Sequence, residues 1–400
     1  MSKHVATPDT AHSATKTERT MTRHLRGGTA RMREAAEAYL PRMERENYTV
    51  YENRLKRSVL LNVYGKTVEL FAGRIFKKRP RIKDGTPPRI REIAEDDFDA
   101  HGKDLASFMQ KATEAAVDDG VVFLFVDAPQ FVQRLDDEGN PVEGLRSQAE
   151  LEASGERPFV TMIRAQSMLG LRFTDSGEVR QFRYRYTEEV DDPDDPDGFL
   201  TKIEELVRVV DIGPETGGRA RHRLYKKTKK SERGQDEEWT LIEEVVTDFE
   251  SIALVPLYAR EVYRGVGMPL FVDLAYLNVR HWQSSSDQAN IVHTIRVPIL
   301  FAIGMQDPAT DQSKEIVIGP NHVVHGEPGA SMQYVEHSGR AAEVGYKEVE
   351  QLTTDMLRMG TEIVLNKPTG TQTATARALD QAEADTIMVA MATRAEAVVA

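Results

Sequence analysis

The chain has 400 residues, a formal net charge of -12, 40% hydrophobic and 29% charged residues, and no cysteine. That balance supports a packed core, and the missing cysteines exclude a disulfide framework, a zinc–thiolate site and a cysteine nucleophile, in keeping with a reducing compartment. The acidic surplus argues against indiscriminate gripping of nucleic acid, whose affinity comes from neutralising phosphates, and the longest apolar runs fall far short of the ~20 residues that cross a bilayer.

Residues 1–28 are rich in Ser, Thr and His and carry no apolar run. They read as a disordered N-terminal arm, not a signal peptide. Residues 29–40 form a helix candidate stopped by Pro41. From 49 to 71, Tyr51, Leu55, Val59, Val63, Val68 and Phe71 recur at roughly helical spacing, which predicts one amphipathic helix. It leads into the basic run "KKRPR" at 77–81, where proline ends it. Asp104 is placed to N-cap a helix through about 118. Gly120 breaks it, and "VVFLFVDAP" (121–129) reads as a buried strand.

"DDEGNP" (136–141) reads as a surface loop, and the Ser147/Glu150 spacing as the capping box of a short helix. Phe182, Tyr184 and Tyr186 alternate with Arg183 and Arg185, a half-buried strand with one basic face. Strand-like runs follow near 203–212, 221–227, 239–246 and 252–258, spaced as an antiparallel meander. After Pro269 the texture changes. Residues 269–294 read as one helix roughly 35–40 Å long. Short strands among Gly and Pro turns fill 297–341. A second helix spans 342–359 with Val344, Val349, Leu352 and Met356 as its approximate apolar stripe. "NKPTGTQTATA" (366–376) is a loop, and the chain is helical again from 377.

No nucleophile elbow, zincin, phosphate-loop or dinucleotide motif occurs. Ser284, Ser285 and Ser286 beside Asp287 and His281 invite a hydrolase reading. They lie within a helix, where small residues serve close helix approach. His281 and His293 stand about 18 Å apart on it and cannot share a metal. His322 and His325 lack evident further ligands. "DDPDDPDG" (191–198) resembles a calcium loop in Asp195, Asp197 and Glu204, but its first ligand position is Pro193, which leaves a solvated acidic loop. The cluster Arg219, Arg221, Arg223, Lys226, Lys227, Lys229 and Lys230 reads as a solvated strand face that phosphate contact would otherwise explain. No metal, cofactor or catalytic residue is assigned.

The module at 297–341 is too small to bury a core of its own. Copies from several subunits completing one another by strand pairing, at the tip of a two-helix stalk, would stabilise it.

"MPLFVDLAYLNVRHWQSSSDQANIVHTIRVPILFAIG" (268–304) resembles the portal proteins of tailed bacteriophages, the head-to-tail connectors. So do "YENRLKRSVLLNVYGKTVELFAGRIFKKRP" (51–80), "YVEHSGRA" (334–341) and "TGTQTATARALDQAEA" (369–384). The resemblance implies an α+β chain. Residues 29–268 would form an α/β wing with an antiparallel meander, 269–296 and 342–361 the stem helices, and 297–341 a small β-rich clip. Residues 362–376 would be the tunnel loop and 377–400 a long helix returning to the wing, with the family's crown absent or cut off. It also implies a non-enzymatic dodecameric ring at one capsid vertex of the virion, assembled in the host cytoplasm, through which double-stranded DNA is packaged, retained and ejected. Its partners would be the terminase large subunit, the head–tail adaptor and the major capsid or scaffolding protein, with no membrane. Lys367, Thr369, Thr371, Thr373 and Thr375 would face the DNA. Val297, Ile299, Phe301, Ile316, Ile318 and Tyr334 would form the docking clip. The rival classes are a metal-dependent hydrolase using His322 and His325, and another structural virion adaptor.

Overall fold

The computed structural model describes residues 4–127, 157–193, 195, 197–229, 238–296, 299–303, 328–335, 339–362 and 374–399. The fold is α+β, and the chain divides into two compact units. The first comprises Met1–Gly27, Asn62–Tyr276 and Arg358–Ala400, the second Gly28–Leu61 and Leu277–Leu357. The acidic loop at 191–198 in part, and the loop at 136–141 and the capping box at 147–150 in whole, lie outside the described residues.

In the first unit, helix α1 (Thr10–Ser13) and helix α2 (Lys16–Arg26) replace the expected disordered arm. Met21 and Leu25, one helical turn apart, are buried, and so are Thr15, Arg19 and Thr22. Arg183 of a later strand donates to the Val5 carbonyl at 2.8 Å and pairs with Asp9 at 2.8 Å. The arm is ordered because Met21 and Leu25 are buried and Thr15, Arg19 and Thr22 donate to carbonyls of the fold, which its composition cannot reveal.

Helix α5 (Val63–Ile75) starts at Asn62, whose Oδ1 accepts from Gly65 N at 2.8 Å. Helix α6 (Pro88–Asp96) follows. Helix α7 (Leu105–Asp119) is capped as its sequence predicts: Ser107 N donates to Asp104 Oδ1 at 2.9 Å. It ends at Gly120, φ +82°, where a Cβ would stand 2.3 Å from the backbone of Gly267. Only glycine allows both that conformation and that approach.

Strand β1 (Val121–Asp127) is central in a three-stranded antiparallel sheet, between β2 (Phe159–Arg164) and β8 (Leu254–Tyr258). Phe123 is completely buried, and Phe125 meets Phe182 edge-on at 5.0 Å. That contact joins β1 to a five-stranded meander of β3 (Met168–Phe173), β4 (Val179–Asp191), β5 (Thr201–Ile212), β6 (Ala220–Lys229) and β7 (Glu238–Val246). The expected fifth run of the meander is β8, which pairs with β1 instead. A ribbon of β9 (Glu261–Tyr263) and β10 (Val266–Gly267) follows.

In the second unit, helix α3 (Gly28–Ala35) passes into a 3-10 turn, Ala36–Ala38. Helix α4 (Tyr48–Arg57) is separate from α5, so the single helix expected over 49–71 is two. Ser58 is extended, and the Asn62 cap begins a new helix. Apolar periodicity continues across the break and hides it. Residues 28–61 group with this unit and not with 62–276, so the stretch expected as one segment over 29–268 divides between the two units.

Helix α8 (Val272–Ile295) carries the chain from the first unit into the second. Strands β11 (Ile299–Ile303) and β12 (Ser331–Val335) form a two-stranded antiparallel sheet. Helix α9 (Arg340–Leu357) leads back into a π-helical turn, Arg358–Glu362, in the first unit. There a Cβ on Gly360 would meet Thr67 Oγ1 at 2.5 Å. Helix α10 (Ala374–Val399) packs on β8: Arg394 donates to the Ala259 carbonyl at 2.6 Å, and Met391 is buried.

Candidate functional site

The second unit is organised by α8. Its polar side chains make hydrogen bonds to both neighbours, which explains why a long helix with few charges stays buried. On one side, Asn278 Nδ2 donates to Leu61 O at 2.9 Å and Gln283 Nε2 to Tyr39 O at 2.9 Å. The Ser286 and Ser58 hydroxyls are 2.8 Å apart, and Arg57 reaches Asn290 Oδ1 at 3.2 Å. The triple serine therefore holds helices together: Ser286 is buried against α4, and Ser285 Oγ donates back to Trp282 O at 3.2 Å.

Arg54 anchors this side. It is 2% exposed and forks onto Glu46 at 2.9 and 2.8 Å. It also donates to Asp287 Oδ1 at 3.1 Å and to the Pro41 carbonyl at 3.0 Å. The hydrogen bond from Arg54 lowers the Glu46 pKa, whereas burial raises that of Asp287 despite the nearby guanidinium.

On the other side α8 meets α9. Thr353 Oγ1 donates to Val349 O at 2.8 Å, so at 3.1 Å it accepts from His281 Nε2–H. Burial lowers the His281 pKa, which keeps the ring a neutral hydrogen-bond donor. Gln288 Nε2 donates to Ala342 O at 2.7 Å. Because 281 pairs with 353 and 288 with 342, the helices are antiparallel. Leu352 and Met356 are buried as the predicted stripe requires, but Val344 is exposed. The adjacent Gly345 takes the contact instead, lying against Gln288.

Between these helices lies the β11–β12 hairpin. Leu300 stands opposite Tyr334, and Phe301 opposite Gln333. Phe301 and Tyr334 therefore occupy opposite faces, and both are exposed, as is Ile303. No third strand pairs with either edge among the described residues. Ile299 lies in β11 at the Val335 register. Thr375 falls in the first turn of α10, so the helix begins before the expected end of the loop. Val297, Ile316, Ile318, His322, His325, Lys367, Thr369, Thr371 and Thr373 lie outside the described residues.

The first unit holds a buried charge cluster that sequence reading missed. Arg26 pairs with Glu114 at 3.0 Å and Asp118 at 3.1 Å, and Tyr64 donates to Asp118 at 3.1 Å. Arg164 forks onto Asp119 at 2.8 and 3.0 Å. Burial pushes Asp118 up to about 7, with Arg26 and Arg164 pulling the other way. The cluster ties α2 and α5 to α7. Helical position gives no hint of it, because its acids lie in an otherwise apolar helix.

The basic strand β6 is matched by acids. Arg221 pairs with Asp211 at 2.8 Å, Lys226 with Glu204 at 2.6 Å and Lys227 with Glu205 at 3.1 Å. That row is neutralised across the sheet rather than presented to phosphate. A surface groove of ≈ 880 Å³ lies beside the β3–β4 turn. Its Arg264 sits 4.0 Å over the Phe173 ring and donates to the Gly177 carbonyl. Among the described residues no three His, Asp or Glu side chains are grouped to hold a metal, and no helix is long and apolar enough to cross a membrane.

Residues 269–400 match a family described as "Domain of unknown function (DUF4055)". No curated protein matches the chain.

Proposed function

We propose that this chain is a portal protein of the tailed-bacteriophage type: a subunit of a ring-shaped channel at one capsid vertex, through which double-stranded DNA is packaged, retained and ejected. The carrying observation is the antiparallel pairing of α9 with the 277–295 part of α8 within one compact unit, the two joined through a hairpin whose apolar side chains are exposed on both faces. An isolated two-stranded hairpin is marginal in water. Strands from neighbouring copies would cover Phe301, Ile303 and Tyr334 and pair the open edges.

On this reading α8 and α9 are the stem, the 297–341 segment is the clip, and the first unit with α10 is the wing. The segment 362–376 is the tunnel loop, with Lys367 its one cation among hydroxyls suited to weak, sequence-blind contacts with phosphate. The acidic balance favours passage of DNA over holding it. ATP hydrolysis belongs to the terminase large subunit, which docks at the clip and is later replaced by the head–tail adaptor. The rim meets the capsid or scaffolding protein. Electron microscopy of the purified chain tests the reading: rings viewed down an axis support it, and discrete monomers overturn it.

A further inference from the structure

The β4–β5 hairpin outruns its sheet. Its pairs from Thr187↔Glu205 to Asp191↔Thr201 have no third strand among the described residues, since β3 pairs with β4 only as far as Tyr184 and β6 begins its pairing with β5 at Leu206. Lys226 and Lys227 of β6 still reach Glu204 and Glu205 at the base of this finger, and its remaining rungs, Glu189↔Ile203 to Asp191↔Thr201, extend roughly 7 Å further before the turn. Its end is apolar: Phe199 is 87% exposed and Ile203 74%, with Leu200 exposed between them. Around them stand Glu188, Glu189, Asp191, Asp192, Asp195 and Asp197, with Lys202 the one cation of the finger's own sequence and Lys226 and Lys227 of β6 at its base.

The tip is also preorganised. The Asp195 carboxylate accepts from the backbone N–H groups of Asp197, Phe199 and Leu200 at 3.1, 2.7 and 2.6 Å. A turn held this way presents its apolar residues with little ordering cost on binding.

Elsewhere in the same unit lies the converse surface. Lys77, Lys78, Arg79, Arg81 and Lys83 are all exposed along an extended segment before α6, where Ile90 is exposed as well. Among the described residues, the ion pair within this run is Arg79–Asp104 at 3.4 Å, made by a side chain that is largely exposed. Where the fold neutralises cations, as along β6, it does so with facing acids. It leaves these two places as an acidic apolar knob and a basic surface with an apolar neighbour.

We infer that the β4–β5 tip is a docking knob for a second copy of this chain, seating Phe199 and Leu200 against the basic 77–83 segment and Ile90 of that copy. Knob and seat are different surfaces, so the contact is head-to-tail and propagates from copy to copy. It rests on the proposed ring only for its closure. Acids around the knob exclude phosphate or an anionic membrane as its target and favour a cationic protein surface.

Sedimentation of the full-length chain over a dilution series tests this. Phe199→Ser with Leu200→Ser, and separately Lys78→Glu with Arg81→Glu, should each weaken self-association about tenfold or more. Asp195→Ala should weaken it without touching the apolar residues. Circular dichroism of the two double variants should match wild type, because Phe199, Leu200, Lys78 and Arg81 are exposed. Mixing the Lys78→Glu/Arg81→Glu chain with an Asp191→Lys/Asp197→Lys chain should restore association, and added salt should weaken the wild-type contact. Wild-type association by all these variants overturns the inference. If rings persist in those variants, the ring reading stands without the knob. If knob-dependent oligomers never close, the contact stands and the ring reading falls. A monomeric wild type overturns both. If association is unchanged while duplex DNA binding is lost in Lys78→Glu/Arg81→Glu, the basic segment serves nucleic acid and the inference fails.

Discussion

Gly345 and Gln288 meet where α9 crosses α8: a Cβ on Gly345 would stand 2.0 Å from Gln288 Oε1, while Gln288 Nε2 holds the Ala342 carbonyl at 2.7 Å. The obstructing atom ends a flexible side chain, so alanine is tolerable. It gains about 1 kcal/mol of helix propensity and loses about one hydrogen bond. Gly345→Ala should therefore unfold within about 1 kcal/mol of wild type. Gly345→Leu cannot be accommodated by moving one amide and should cost about 1–3 kcal/mol. Denaturant titration distinguishes them, and equal costs would contradict the close approach.

Among the described residues, Arg54 is the one cation ion-paired with Glu46, and it is buried with it. Arg54→Ala leaves that carboxylate without its fork and should destabilise the second unit by about 3–5 kcal/mol. Arg54→Lys keeps the charge but not the fork, and should recover only part of the loss. Full recovery by lysine would show that geometry is unimportant there.

The buried titrating groups impose opposite pH dependences. Asp118, at about 7 when folded and about 3.9 when unfolded, makes the folded state bind the extra proton, so its contribution falls as pH rises from about 4 to about 7. His222 is lowered to about 4 by burial and Arg208. The unfolded state then binds the extra proton, and its contribution rises with pH between about 4 and 6.5. His12, lowered to about 4 by burial and Arg19, acts in the same sense. The stability of wild type relative to Asp118→Asn should decline from pH 4 to 7 and level off above. Chemical unfolding at several pH values measures it, and a pH-independent difference would refute the assignment.

Legibility in the sequence followed the range of the interactions. Asp104 and Gly120 bound α7 through contacts a few residues away, so cap chemistry revealed them. Phe182, Tyr184 and Tyr186 alternate because β4 is half-buried, and α8 stands out by its length without Gly or Pro. The break at Ser58 stayed hidden because Val59 and Val63 keep a helical spacing though Val59 is exposed. The ordering of α2 and the grouping of 28–61 with α8 were also hidden. Arg26, Arg54 and Asn278 are polar residues that a sequence pattern does not mark as buried, and they have partners far away in the chain, at Glu114, Asp287 and Leu61, whereas the serines at 284–286 were legible as small residues at a helix contact. Val344 fitted the stripe by spacing, yet Gly345 made the contact. In the candidate site, Phe301 and Tyr334 could be recognised as strand residues, but their placement on opposite faces needed the register.

Phe301 and Tyr334 provide a direct probe of assembly. Both are exposed in the single chain, so Phe301→Asp with Tyr334→Asp should leave its unfolding curve close to wild type. The same pair should sharply reduce ring yield if neighbouring copies cover the hairpin. Normal yield would place assembly elsewhere.

The central claim is tested most directly by native mass measurement of the purified chain, paired with class averages viewed down the particle axis. A dodecamer of a 44.9 kDa chain, about 540 kDa, with an open centre wide enough for duplex DNA is the expected result. A discrete 44.9 kDa monomer at micromolar concentration would contradict the account.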